Sequence, residues 1–141
     1  MLIKQRSEVE MSNSELKKVI TTDNAPKAIG PYSVAIKLGS LVFTSGQVGI
    51  NPQTGEIVTG GIEAETRQVL TNVKHVLEAA GTSMGQVVKT TVFLQTMADF
   101  SAMNAVYAEY FPDDPPARST IAVAGLPKGA LVEIETIATT E

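Results

Sequence analysis

Cysteine is absent from the 141 residues and histidine occurs once, as His75. The first absence excludes a disulfide framework, a thiolate nucleophile, an iron–sulfur cluster and any cysteine-based zinc site. It suits a cytoplasmic compartment. One histidine without cysteine does not build a structural zinc site, so neither a metal nor a cofactor is expected. A Ser-His-Asp triad also lacks its parts. His75 falls between the apolar-stripe positions Val73 and Val76, which turns it toward the polar, solvent-facing side of a helix, and Ser45 lies on a different element. No GxxxxGK[ST] loop is present, and Gly46 and Gly49 do not complete GxGxxG, so nucleotide binding has no support. No apolar run approaches the ~20 residues of a membrane span, so no membrane is an expected partner. The first residues, MLIKQRSEVEMSNSELKK, are charged throughout and lack a signal-like apolar run, which argues against secretion. Basic runs are missing too. The formal net charge is −4, and residues 1–18 hold Lys4, Arg6, Lys17 and Lys18 against Glu8, Glu10 and Glu15. That leaves seven of the 11 bases and twelve of the 15 acids beyond residue 18. A body this acidic is a poor match for a phosphate backbone, and nucleic acid is not an expected partner.

What is present is a globular composition, 43% apolar and 18% charged, in a chain long enough for one domain. Residues 1–17 read as a flexible N-terminal extension, with Met11 a candidate start, and residues 18–141 as a single domain. Val19–Thr22 is a short β-branched strand, broken by Asp23-Asn24-Ala25-Pro26. Ser33–Leu38 and Leu41–Gln47 flank Gly39-Ser40 as a hairpin. Ile62, Val69, Leu70, Val73, Val76, Leu77 and Ala80 share one face of a helix over 62–80, with Gly81 placed to cap it. Val87–Leu94 is a buried strand. Asp99 is placed to cap a second helix, through Tyr110, with a stripe of Phe100, Met103, Val106, Tyr107 and Tyr110. Arg118–Ala124 and Leu131–Ala138 are expected to form a second hairpin around Gly125–Gly129. The fold class is α+β, a mixed sheet with two helices on one face. Two helices cover only one side of a sheet, so another copy of the chain is the expected cover for the other.

A few polar residues sit oddly for such a sheet. Arg118 and Thr120 have period-2 spacing and point to one face. Arginine suits bidentate grip of a carboxylate, although a surface ion pair is the plainer use of it. Glu133 and Glu135 share a strand face opposite Val132 and Ile134. That face is either a solvated strand surface or a carboxylate lining an interface, able to orient water or move a proton. Tyr32 follows the rigid Gly30-Pro31, and Thr44-Ser45-Gly46-Gln47 ends a strand with small polar residues and a glycine that admits close approach. Each of these singly is also an ordinary turn or strand-end feature.

Together these segments resemble a known family. Gly30-Pro31-Tyr32-Ser33, Thr44-Ser45-Gly46-Gln47, Asn51-Pro52-Gln53-Thr54-Gly55, Thr66-Arg67-Gln68 with Asn72-Val73, Glu78-Ala79-Ala80-Gly81, Lys89-Thr90-Thr91-Val92-Phe93, Pro116-Ala117-Arg118-Ser119-Thr120 and Leu126-Pro127-Lys128-Gly129-Ala130-Leu131-Val132-Glu133-Ile134-Glu135 are similar, in order, to motifs of the RidA (YjgF/YER057c/UK114) family. The resemblance runs from about Lys18 to Glu141. It implies a chorismate-mutase-like α+β fold, related to the ferredoxin-like one, and a homotrimer with ligand clefts between subunits. It implies hydrolytic deamination of 2-enamine and 2-imine acids such as 2-aminoacrylate, 2-iminopropanoate and 2-iminobutanoate, giving 2-oxo acids and ammonia. The family's carboxylate-binding arginine falls on Arg118, its water-associated glutamate on Glu133, and its tyrosine and serine on Tyr32 and Ser45. Gly46 and Asn104 fall on cleft-lining positions. Thr120 stands where many members carry cysteine. A threonine supplies no thiolate but keeps a hydroxyl and a backbone carbonyl for placing water or substrate nitrogen. Two other functions fit the same residues less fully: a regulatory module that binds a small carboxylate, and a ribonuclease or translation inhibitor. The nearby anion Glu133 gains nothing for pure carboxylate binding, and the acidic body argues against RNA.

Overall fold

The structure, a computed structural model, describes residues 17–141. The expected extension lies outside the described residues except for Lys17, which opens the first strand. Strands β1 (Lys17–Ile20), β2 (Ala35–Leu38) and β3 (Leu41–Thr44) form an antiparallel meander. The expected β2–β3 hairpin is present: Leu38 pairs with Leu41, and Gly39 takes the left-handed φ of 60° at the turn. A two-residue strand, β4 (Gln47–Val48), follows. Helix α1 (Gly61–Ala79) is built on the expected stripe, with Val69, Leu70, Val73, Val76 and Leu77 fully buried. It ends as the sequence predicts. The Gly81 amide donates to the Glu78 carbonyl at 3.1 Å and the Thr82 amide to Leu77 at 3.0 Å, a Schellman cap with Gly81 at φ 83°.

Strand β5 (Val87–Leu94) leads through a 3-10 turn to helix α2 (Phe100–Tyr110), and then come β6 (Ala117–Ala122) and β7 (Val132–Thr139). Two expectations fail here. The Asp99 side chain makes no cap bond; the turn over Met97–Asp99 begins the helical segment earlier, and Thr96 Oγ1 accepts from the Ala98 amide at 3.2 Å. Nor do β6 and β7 form a hairpin. β5 lies between them, paired parallel to β6 and antiparallel to β7. The parallel pair needs a long crossover, and the segment containing α2 supplies it. Sequential adjacency therefore gives way to a β5-α2-β6 unit, and β6 becomes an edge.

The seven strands form one mixed sheet in the order β1-β2-β3-β7-β5-β6, with β4 also on β7. Both helices lie on one face, over Val42, Val92, Leu94, Val132, Ile134 and Ala138, as the fold class requires. The other face carries no helix. Register places Val19, Ile36, Phe43 and Ile137 in one row across it. Phe43 is 36% exposed and Leu41, on the same face, 38%. In the single chain this apolar surface is open to solvent.

Candidate active site

Two groups of side chains emerge, one on each face of the sheet. The first is organised by an irregularity. Phe43 pairs with Ile137 and Gln47 with Ile134, so four steps along β3–β4 answer three along β7. The extra residue makes a bulge, which re-aims what it carries. A polar pair inside the sheet fixes its place: the Thr136 amide donates to Thr44 Oγ1 at 2.9 Å, and the two threonine hydroxyls are 2.9 Å apart. Ser45 and Gly46 form the bulge. Ser45 is clamped to the segment after Tyr32, its amide donating to the Val34 carbonyl at 2.9 Å and its hydroxyl to the Ser33 carbonyl at 2.5 Å. Gly46 lies flat against Glu133: a Cβ there would sit 2.6 Å from Glu133 Oε1. A larger residue at 46 would have to displace the carboxylate beside it.

Glu133 is half-buried, and its pKa is raised from 4.5, first by burial and then by the neighbouring charge of Glu135. That is the direction expected of a carboxylate readied to take a proton. Tyr32 is half-exposed, with the Ile29 amide donating to its hydroxyl at 3.4 Å. Tyr32 and Gly46 line a cleft of about 270 Å³ that extends to Lys27, Pro52, Gly55 and Lys128. Ser45 and Glu133 flank Gly46 outside that lining, so Gly46 is the point where the Glu133 carboxylate adjoins the Tyr32 cleft.

The second group surrounds Arg118. The Arg118 Cζ lies 4.6 Å from the Tyr107 ring centre and 5.6 Å from that of Phe100, a cation held against two rings of α2. Tyr107 is itself fixed, its hydroxyl 2.7 Å from the buried Thr90 Oγ1. Its pKa is raised by burial, against opposing effects of Thr90 and Arg118. Asn104 lies on the same side of α2, one turn from Phe100, and is half-buried. Thr120 points to the same face as Arg118, and its Oγ1 is enclosed with no hydrogen-bond partner among the described residues.

The chain does not bring the two groups together. Arg118 reaches toward α2 on the helix-covered face, whereas Glu133 alternates with the fully buried Val132 and Ile134 and so faces the other side. β5 separates their strands.

Several supporting residues escape sequence reasoning. Phe100 and Tyr107 fit an ordinary core stripe, and nothing in the pattern marks them as a platform for Arg118. Glu65 is buried inside α1, where its Oε1 accepts from the Leu131 amide at 2.9 Å and so anchors the loop before Glu133. Asn72 Nδ2 donates to the Ile50 carbonyl at 2.9 Å and holds the chain beyond β4. Their signal was three polar residues, Glu65, Thr66 and Asn72, on the apolar side of a helix. His75 is not solvent-facing as expected; it is half-buried, its Nδ1 2.8 Å from the Asn24 carbonyl. Among the described residues, no helix is long and apolar enough to cross a membrane.

This fold is shared with known proteins. The chain matches the family model described as endoribonuclease L-PSP over residues 22–140, and it belongs to that family, the RidA/YjgF family. A RutC family protein of Pyrococcus horikoshii is 58% identical over 123 residues, 87% of this chain and 98% of that protein. A Dermatophagoides farinae protein named 2-iminobutanoate/2-iminopropanoate deaminase is 50% identical over 125 residues, 89% of this chain and 98% of its own length. Among solved structures, E. coli TdcF with bound serine is similar at a TM-score of 0.85 and 46% identity, covering 89% of this chain and all of that one.

Proposed function

We propose that this protein is a cytoplasmic homotrimer that hydrolyses 2-imino acids and their 2-enamine tautomers to 2-oxo acids and ammonia, in clefts where Arg118 of one copy meets Tyr32, Ser45, Gly46 and Glu133 of the next. The observation that carries this reading is the half-buried Glu133 carboxylate seated on the Gly46 backbone, on the opposite sheet face from the only arginine of the constellation. The open apolar face supports the oligomer, since a second copy would cover it. The name of the Dermatophagoides relative supports the chemistry, and the serine bound to TdcF supports a small carboxylate ligand. The cysteine-free composition supports the compartment.

Arg118 binds the substrate carboxylate in bidentate fashion and fixes the imine carbon, which removes part of the entropic barrier. Glu133 orients a water and accepts its proton as the oxygen attacks that carbon. The resulting carbinolamine is held by the hydroxyls of Tyr32 and Ser45, with Asn104 and Thr120 at the rim. Glu133 returns that proton to nitrogen to complete the carbinolamine, then takes the carbinolamine hydroxyl proton and passes it to nitrogen as the C–N bond breaks, so ammonia leaves and the 2-oxo acid forms. No metal or cofactor is required.

The ribonuclease reading draws on the family's name, but the acidic chain, at −4, is a poor match for a phosphate backbone, and the single histidine is engaged on the Asn24 carbonyl. The regulatory-module reading leaves Glu133 without a purpose. The test is complementation. Arg118→Ala and Glu133→Gln are each expected to be inactive on 2-iminobutanoate generated in situ, and oligomers reassembled from a mixture to regain activity. Mixed oligomers as dead as their parents would overturn the shared cleft; a wild-type protein that does not speed 2-iminobutanoate decay would overturn the function.

A further inference from the structure

We propose that the cleft running from Tyr32 and Gly46 to Lys128 is a subsite for a second carboxylate, so that the protein also deaminates 2-imino acids with acidic side chains, with Lys128 as the residue that selects them. The inference rests on the function proposed above and extends it to a substrate class.

Lys128 is one of two non-glycine residues at positive φ among the described residues, at φ 55° and ψ 25°. A side chain in that region is uncommon, and the cost persists only where the surroundings impose it. Here the next residue, Gly129, is also left-handed at φ 67°, and the turn sends the Lys128 ammonium across to the Gly55 carbonyl at 3.0 Å. An ammonium carries three N–H donors, and this bond uses one. Gly55 and Lys128 both line the cleft that reaches Tyr32 and Gly46. The remaining donors are therefore on a residue lining the same cleft as Gly46, against which Glu133 is seated.

The lining is also the wrong sign for this protein. The chain as a whole carries −4, yet the cleft sets Lys27 and Lys128 against Asp23 alone. At about 270 Å³ the space is larger than the ethyl group of 2-iminobutanoate fills, and Ala25, Val34 and Ile50 line part of it. An acidic side chain would lay its methylenes on that apolar wall and its carboxylate on Lys128. The reaction is unchanged: water adds at the imine carbon, ammonia leaves, and the product is a 2-oxo diacid.

The experiment compares 2-iminoglutarate, formed in situ by a glutamate oxidase with catalase, with 2-iminobutanoate. Wild-type protein is expected to speed the decay of both. Lys128→Met is expected to lower the ratio of kcat/KM for 2-iminoglutarate to that for 2-iminobutanoate by about tenfold, the loss of one charge-assisted bond, mainly through KM. Lys128→Arg is expected to keep most of the ratio. Equal losses on both substrates in Lys128→Met would show a tether between loops and overturn the proposal. So would wild-type activity on 2-iminobutanoate with none on 2-iminoglutarate, which would leave the proposed function standing. Failure on both substrates would overturn the two together.

Discussion

The two halves of the proposed cleft are held by different means. The Glu133 half is built by backbone: a bulge set by Thr44 and Thr136, two bonds from Ser45 to the Ser33 and Val34 carbonyls, and a glycine that touches the carboxylate. The Arg118 half is held by side chains, with a guanidinium on two aromatic rings at the edge strand of the sheet. Backbone sets the first half to a fixed geometry and desolvates its charge, which suits proton transfer. A guanidinium packed on ring faces can still offer N–H donors to a ligand. Substitutions in the two halves should therefore fail in different ways.

The largest effect is expected from Glu133→Gln, which keeps shape and removes the base: turnover should fall by about 10²–10⁴-fold while carboxylate ligands still bind. Because the Glu133 pKa is raised above 4.5, the wild-type rate should fall toward acid with a midpoint above that value. The same shift has a consequence for stability. A carboxyl whose folded pKa exceeds its unfolded one favours folding while protonated, and loses that contribution as pH rises from the unfolded through the folded pKa. Glu133→Gln should accordingly raise Tm at neutral pH, with the difference vanishing well below pH 4.5. Thermal melts across that range check it, and a variant less stable than wild type at neutral pH would contradict it.

Next comes Arg118→Ala, expected to cost about 10²–10³-fold in kcat/KM, the range for truncating one partner of a desolvated charge pair. Arg118→Lys should recover only part, since an ammonium has no planar fork. The contrast with Glu133→Gln lies in binding: titration with a non-reactive 2-oxo acid should show affinity lost in Arg118→Ala and kept in Glu133→Gln. Loss of affinity in both would erase the distinction between the halves.

Gly46→Ala probes the backbone half without touching a charge. Its Cβ would meet Glu133 Oε1 at 2.6 Å, and the carboxylate must move. A displacement of about 1 Å at a reacting group costs up to ~10²-fold, so kcat should fall by about 10–100-fold with the fold intact by circular dichroism. Wild-type kcat would show that the position of Glu133 is not set by this contact.

Much of this was legible before the structure. Periodicity identified both helices and Val87–Leu94, because a single buried face writes itself into residue spacing. Alternation put Arg118 with Thr120 and Glu133 opposite Ile134. The pairing of β6 with β5 was not legible, since strand adjacency is decided by where α2 packs and not by any local signal. The bulge at Ser45-Gly46 escaped as well: a seven-residue run over 41–47 reads as one strand, and only pairing against β7 reveals the extra residue. The separation of Arg118 from Glu133 follows from that pairing, and residue spacing on two strands does not contain it.

The smallest effect is expected at the one histidine. His75 stands on α1 and belongs to neither half, yet its Nδ1 reaches the Asn24 carbonyl in the loop between β1 and β2. That loop carries Tyr32 and supplies Asp23, Lys27 and Ile29 to the cleft. It is also pinned by the buried Ala25 and by Ser45 on the Ser33 carbonyl, so loss of the His75 bond should loosen it without releasing it. A typical intramolecular hydrogen bond contributes about 0.5–1.5 kcal/mol. His75→Ala should therefore raise KM by about two- to fivefold, the binding share of that energy, and leave kcat close to wild type. Tm should fall by about 2–6 °C. The reading is one of position: His75 acts through Tyr32, so Tyr32→Phe and His75→Ala should be less than additive in KM. Full additivity, or a loss confined to kcat, would show that the β1–β2 loop holds its place without the histidine.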